Sequence, residues 1–148
     1  MRSKELDNLV RTGTLKSEPG DQKEFDGLLN SGRKRLLDAA KEGLSAESKF
    51  DLAYGAAHAL SLAALRWHGY RPDRLRYAVF PALQHTLGLK PELWRVLDKC
   101  HSSRNLAEYE GYFDVGEQLL KDLLKTTGIV LKAVEKLGPV PASTPKRK

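Results

Sequence analysis

One short segment of the chain combines residue types that bind phosphate and move protons. It contains His101, Arg104 and Asn105, whose i, i+3, i+4 spacing places them on one face of a helix. Projection at 100° per residue puts Arg104 within about 20° of Leu93, so it continues the apolar stripe that Leu93 begins. A guanidinium in such a stripe needs an ionic partner, a second subunit or a bound anion, because burying an unpaired charge is very costly.

A structural role for Arg104 is the alternative interpretation. Glu108 follows it at i+4, and an ion pair between the two on the rim of a bundle would satisfy the guanidinium without a ligand. His101, one helical turn away, could act as an acid or a base, although a single histidine at a surface or an interface is more commonly structural. The spacing alone leaves both interpretations open.

A second basic cluster surrounds the predicted end of an earlier helix. Its members are Arg66, Arg71, Arg74 and Arg76, interleaved with Trp67, Tyr70 and Tyr77. Such mixtures can bind single-stranded nucleic acid through phosphate contacts and base stacking. Alternatively, Arg66 and His68 complement a helix C-terminus while the aromatic side chains pack a corner, and we favour this structural interpretation.

Other common chemistries lack support in the sequence. The four histidines are at least ten residues apart and none belongs to a His-x-x-x-His or Glu-x-x-His pattern, so no zinc or di-iron site is expected. The chain also lacks a phosphate-binding Gly-rich loop with Lys-Ser/Thr, a dinucleotide fingerprint and a Gly-x-Ser-x-Gly elbow. We therefore expect neither a metal nor a cofactor.

Hydrophobic periodicity and capping signals predict an all-α fold, an antiparallel bundle of four to five helices. The predicted helices cover about residues 4–12, 22–43, 46–68, 74–87, 91–110 and 114–136. Asp21 and Ser45 are the expected N-caps, Glu24 completes a capping box with Asp21, and Pro81 should kink or split the helix over 74–87. Because no segment alternates with a two-residue period between hairpin turns, a sheet is not expected.

Length and composition indicate one domain in a reducing compartment. The chain has 148 residues, 41% of them hydrophobic and 30% charged, which suits a single domain over 1–138 followed by a disordered, proline-rich basic tail over 139–148. Without Lys146, Arg147 and Lys148 the net charge of +6 falls to about +3, which is compatible with polyanionic partners. We expect a cytoplasmic protein, since the first residues do not resemble a secretory signal, no apolar run spans a membrane, and Cys100 is the only cysteine.

Three segments resemble the HEPN domain family. The signature region of the family resembles Cys100-His101-Ser102-Ser103-Arg104-Asn105-Leu106-Ala107-Glu108-Tyr109. The central helix of bacterial HEPN proteins resembles Phe50-Asp51-Leu52-Ala53-Tyr54-Gly55-Ala56-Ala57, and the exit from that helix resembles Leu65-Arg66-Trp67-His68-Gly69-Tyr70-Arg71. The resemblance covers roughly residues 5–136. It implies a helical bundle that forms homodimers, with the Arg-bearing helices facing each other across the two-fold axis. Many HEPN proteins are ribonucleases, often toxins encoded with a nucleotidyltransferase antitoxin.

The chain departs from the cleavage motif of that family, which is Arg, a polar residue such as Asn, and a His a few residues later. Arg104 and Asn105 match, but Tyr109 occupies the His position. A phenol with an ordinary pKa near 10 is a poor general base at neutral pH. Some toxins of the family carry a nucleotidylated Tyr two residues after that His; Gly111 stands there in this chain, and Tyr112 is one residue out of register.

We therefore predict a HEPN-like dimerisation module that binds RNA or a nucleotide near Arg104 and Asn105, is catalytically weak or inactive, and works with a nucleotidyltransferase-type partner. The predicted ligand contacts extend to the second cluster, Arg66, Arg71, Arg74 and Arg76. The first alternative is a metal-independent endoribonuclease toxin in which Arg104 binds the scissile phosphate, Asn105 positions it, and His101 or Tyr109 transfers protons. The second alternative is a purely structural helical protein without a ligand.

Overall fold

The computed structural model describes residues 3–111 and 116–142, without the side chains of residues 108–110. As predicted, this part of the chain is mostly helical. Its elements, in order, are α1 (Lys4–Arg11), β1 (Leu15–Ser17), α2 (Gln22–Ala39), α3 (Ala46–Trp67), β2 (Tyr70–Pro72), a 3₁₀ turn (Arg76–Val79), α4 (Leu83–Thr86), α5 (Pro91–Glu110) and α6 (Glu117–Glu135).

Two helix starts use the N-caps that the sequence predicts. The Asp21 carboxylate accepts a hydrogen bond of 2.8 Å from the Glu24 N–H at the start of α2, and the Ser45 hydroxyl accepts one of 3.0 Å at the start of α3. The Glu24 side chain does not complete the capping box. Its carboxylate oxygens accept hydrogen bonds from Arg66 and Arg71 and not from the backbone N–H of Asp21. The cap residue Asp21 was therefore predicted correctly, whereas the partner of the Glu24 side chain was not.

Helix α3 is the central element, and it contacts α2, α5 and α6. It runs antiparallel to α2, since Arg66 near its end bonds with Glu24 near the start of α2, while Leu60 lies against Gly32 further along. A Cβ atom at Gly32 would lie 2.5 Å from Leu60 Cγ, so glycine permits the close approach of these two helices. Helix α5 also runs antiparallel to α3, and α6 contacts both helices and α2.

The two strands correct the expectation that no sheet forms. They pair antiparallel, with Leu15 opposite Pro72 and Ser17 opposite Tyr70. Each strand has only three residues, too few to show alternation in the sequence. This ribbon joins the segment before α2 to the segment that leaves α3.

Two predicted segments differ in extent from the observed elements. The predicted helix over 74–87 is split around Pro81, as expected, into the 3₁₀ turn and α4. The predicted tail begins at Pro139, and its first residues contact the helices. The Trp67 indole N–H donates to the Gly138 and Pro139 carbonyls, and the Val140 N–H donates to the Gln22 amide oxygen. Residues 143–148 of that tail lie outside the described residues. Among the helices that are described, none has the length and apolar character to cross a bilayer.

Candidate functional site

A groove of about 690 Å³ opens between α2, α3 and α5, beside the 3₁₀ turn. The polar residues of its wall include Arg35, Asp51, Tyr54, His58, Arg76, Tyr77, His101, Arg104 and Asn105. Within the described residues, three guanidinium groups and one carboxylate give this wall a formal excess of +2, with the histidines left out of the count. A concave surface with such an excess attracts anions.

Arg104 lies on the wall of the groove, and its side chain is 41% exposed. Its Nε atom is 3.5 Å from the Asp51 carboxylate on α3, and its guanidinium carbon is 5.1 Å from the centre of the Tyr54 ring. The ionic partner within the described residues is therefore Asp51, while the side chain of Glu108, the alternative partner, lies outside them. No described residue accepts a hydrogen bond from the two terminal nitrogens of Arg104.

His101 is held by three neighbouring side chains. Its Nδ1 atom is 3.0 Å from the Tyr54 hydroxyl, its Nε2 atom is 3.1 Å from Asn105 Nδ2, and its ring stacks on Tyr77 with centres 4.5 Å apart. An amide nitrogen only donates, so Nε2 accepts and Nδ1 carries the proton that is donated to Tyr54. Both ring nitrogens of His101 are therefore engaged in hydrogen bonds.

The Tyr54 hydroxyl can act as a donor in the groove. Burial raises the pKa of this phenol above its ordinary value, although the nearby Arg104 charge opposes the shift, so the hydroxyl keeps its proton at neutral pH. Because the oxygen accepts from His101 Nδ1, its own proton is free to reach another acceptor. A phosphate oxygen in the groove would supply that acceptor.

His58 adds a second imidazole to the wall. Burial lowers the pKa of this ring and the Arg76 charge lowers it further, so the neutral form is favoured. Its Nε2 atom is buried and has no hydrogen-bond partner among the described residues. This atom can therefore accept or donate one further hydrogen bond, depending on its tautomer.

Gly55 provides space for the guanidinium of Arg35. Arg35 Nε donates to the Ser31 hydroxyl at 3.1 Å, and Nη1 lies 3.1 Å from the position that a Cβ atom on Gly55 would take. The Arg35 guanidinium on α2 can therefore lie directly against α3. Neither residue was among the predicted site residues, since their proximity depends on how the two helices pack.

A stripe along α3 carries the other wall residues that the sequence analysis missed. Asp51, Tyr54, Gly55 and His58 follow each other at i, i+3, i+4 and i+7, and all four line the groove. This spacing was visible in the sequence. The stronger apolar face of the same helix dominates the pattern and obscures the stripe.

The structure brings together some of the predicted site residues and leaves others apart. His101, Arg104, Asn105 and Arg76 line one groove. Arg66, Arg71 and Arg74 do not line it: Arg66 is 1% exposed, Arg71 forms ion pairs with Glu18 and Glu24, and Arg74 is exposed. The Tyr109 side chain and Tyr112 lie outside the described residues, whereas Gly111 ends α5 with φ of 86°.

Cys100 precedes Arg104 by one helical turn but is not a candidate nucleophile. The side chain is fully buried, and burial raises the pKa of its thiol to about 12. The reactive thiolate is therefore scarce at neutral pH. Within the described part of the chain, no group of three or more His, Cys, Asp or Glu side chains is arranged to hold a metal ion.

Comparison of the chain with family models, with curated proteins and with solved structures finds no significant match.

Proposed function

We propose that the protein binds a nucleotide unit, either free or within single-stranded RNA, in the groove at Arg104. The carrying observation is that Arg35, Arg76 and Arg104, from three different parts of the chain, line one groove together with the aromatic ring of Tyr77. Phosphate contacts from basic side chains and stacking on aromatic rings are the two interactions that proteins combine to bind single-stranded nucleic acid.

The donors on the wall suit a phosphate group. The terminal nitrogens of Arg104 have no acceptor among the described residues, and the hydroxyl proton of Tyr54 is not used by His101. Charge-assisted hydrogen bonds from a guanidinium to a phosphate are shorter and stronger than neutral ones. Tyr77 is 36% exposed, and its stacking on His101 holds the ring in place for contact with a base.

A binding role with weak or no catalysis is favoured by the surroundings of His101. A general base needs a ring nitrogen that can take a proton, yet Nδ1 faces the Tyr54 hydroxyl and Nε2 accepts from Asn105. Catalysis by this histidine would first have to break one of these hydrogen bonds. Tyr109 replaces the histidine that the HEPN cleavage motif requires.

An endoribonuclease is the second candidate, because His101, Arg104 and Asn105 share the wall of one groove. In that case Arg104 would bind the scissile phosphate, Asn105 would position it, and His101 or Tyr109 would transfer protons. Incubation of the pure protein with total RNA separates the candidates. Cleavage that the Arg104→Gln variant lacks would establish the nuclease, and intact RNA with retained binding would establish the binding module.

Binding itself is tested by fluorescence anisotropy with a labelled single-stranded RNA octamer and, in a separate arm, by titration with mononucleotides. Arg104→Gln should weaken binding by roughly tenfold or more, because it removes a charge-assisted contact. Arg95→Gln is the matched control, since Arg95 is exposed on the same helix, lies over the Trp94 ring and does not line the groove. Equal effects of the two substitutions, or no binding of either ligand, would contradict the proposal.

The resemblance to HEPN domains also supports a homodimer and a nucleotidyltransferase-type antitoxin as partners. On α5, the side chain of Leu106 is 56% exposed, and a second copy of the chain could cover it. Light scattering at micromolar concentration should then give twice the chain mass, and Leu106→Asp should give a monomer. A monomeric wild-type protein would contradict the dimer.

The purely structural alternative makes a different prediction. It would be favoured if the Arg104→Gln variant kept the stability, the assembly and the RNA binding of the wild type.

A further inference from the structure

A second cavity of about 420 Å³ adjoins the groove and differs from it in charge. We call this second cavity the side pocket. It shares Tyr77, His101 and Asn105 with the groove, and its other lining residues are Asp98, Lys99 and Ser102. The stacked rings of Tyr77 and His101 therefore line both an arginine-rich groove and a pocket whose charged side chains, Asp98 and Lys99, have opposite signs. This difference in charge between the two cavities suits a nucleotide, whose phosphate is anionic and whose base is neutral.

Asp98 is the distinctive residue of the side pocket. Among the residues that the structure describes, its carboxylate has no hydrogen-bond or ion-pair partner, although the side chain is partly buried. Burial raises the pKa of this carboxyl above its ordinary value because the charged form has lost part of its water. Two hydrogen-bond donors from a ligand would replace that water.

Ser102 lies one helical turn after Asp98, on the same face of α5, so their Cβ atoms are about 5–6 Å apart. Lys99 lines the same pocket and supplies an ammonium donor. The pocket thus offers an acceptor pair on one carboxylate with donors beside it. A ligand that matches this pattern must present two adjacent donors next to an acceptor.

We propose that the side pocket binds a guanine base, with Asp98 accepting from the ring N1–H and the 2-amino group while Lys99 or Ser102 donates to O6. Among the four RNA bases, guanine alone presents two adjacent donors on its pairing edge. Adenine and cytosine place a ring acceptor beside the amino group, and uracil flanks its single N–H with two carbonyls, so each would bring a lone pair against the carboxylate. The assignment rests on the proposed nucleotide-binding groove.

The test uses labelled octamers of uridine in which one central position is guanosine, inosine, adenosine or cytidine, compared with all-uridine RNA. Wild-type protein should bind the guanosine octamer roughly tenfold more tightly than all-uridine RNA, in line with the discrimination of a bidentate contact. Inosine lacks the 2-amino group and should fall between them. Asp98→Asn offers one acceptor and one donor, so it should lose the preference for guanosine over inosine and shift towards adenosine or cytidine.

Asp38→Asn is the control, because it makes the same chemical change at a side chain that is 48% exposed and lines neither cavity. Urea unfolding of both variants separates a loss of specificity from a loss of folding. Binding that depends on Arg104 but is equal for all octamers would overturn the guanine assignment and leave the proposed function intact. If no octamer binds, titration with guanosine and inosine monophosphates decides the assignment, and no binding of either would overturn both proposals.

Discussion

Arg66 is 1% exposed, and its guanidinium donates to the Glu24 carboxylate and to the backbone carbonyls of Glu18, Pro19 and Tyr70. Its Nη2 atom also lies 3.5 Å from the Glu18 carboxylate. The chain thus supplies a full set of partners, which fits the structural interpretation of the sequence around this residue. At Arg104, by contrast, no described residue accepts a hydrogen bond from the two terminal nitrogens.

Replacement of Arg66 by methionine should be severely destabilising. It removes the charge that pairs with Glu24 and leaves three backbone carbonyls without their donor, so we expect a loss of about 3–5 kcal/mol in the free energy of unfolding. Arg33→Met is the control, since Arg33 pairs with Glu135 at 2.9 Å but both side chains are about 40% exposed, and it should cost at most about 1 kcal/mol. Urea unfolding measures both values, and similar losses would contradict a structural role specific to Arg66.

The carboxyl of Glu24 should make stability depend on acid pH. Burial alone raises its pKa, but hydrogen bonds and charges of Arg66 and Arg71 outweigh burial and hold the pKa below its ordinary value of 4.5. Because the folded pKa lies below the unfolded one, this stabilisation is fully present above about pH 4.5 and is lost as the pH falls through the folded pKa.

Unfolding of the Glu24→Gln variant and of the wild type should therefore be compared from pH 7 to pH 3. We expect the wild type to be the more stable at pH 7 and the difference in the free energy of unfolding to shrink as the pH falls. Glu42→Gln introduces the same amide at an exposed position outside this cluster and serves as the control. A difference between wild type and Glu24→Gln that stays constant across this range would show that the ion pairs do not supply the stabilisation.

At the level of elements, local signals predict the helices well and the contacts between elements poorly. Asp21, Ser45 and Pro81 act through their own helix, so the start of α2, the start of α3 and the break before α4 follow from the sequence. The three-residue strands form only because two distant segments meet. The site divides in the same way, since His101 and Arg104 share one helix, whereas Arg35 enters the groove only through the packing of α2 on α3.

That packing predicts opposite effects for two glycines of α2. Gly32→Ala places a methyl group 2.5 Å from Leu60 Cγ and should destabilise the protein by about 1–3 kcal/mol. Gly27→Ala, where the new Cβ atom would meet no described atom within 4 Å other than the adjacent backbone of α2, should stabilise it by about 0.5–1 kcal/mol through the higher helix propensity of alanine. Thermal and urea unfolding give the two signs, and a gain of stability in both variants would contradict the close approach at Gly32.

Across the whole molecule, positive charge is neutralised at one end of α3 and left in excess along the groove. Arg66 and Arg71 are matched by Glu18 and Glu24, whereas the described wall of the groove holds three arginines and one carboxylate, that of Asp51, which pairs with Arg104. The overall charge of +6 gives any polyanion a weak general attraction. The groove adds a local attraction, and the response of binding to salt distinguishes the two.

If two or three phosphates of a single strand contact the groove, a plot of log affinity against log salt concentration should have a slope between about −1.4 and −2.1. Arg76→Gln removes one groove charge and should make that slope shallower by about 0.7. Arg95→Gln removes the same charge from the molecule at a position outside the groove and should leave the slope unchanged. Equal changes in both variants would show that the net charge of the protein, rather than the groove, governs its attraction for RNA.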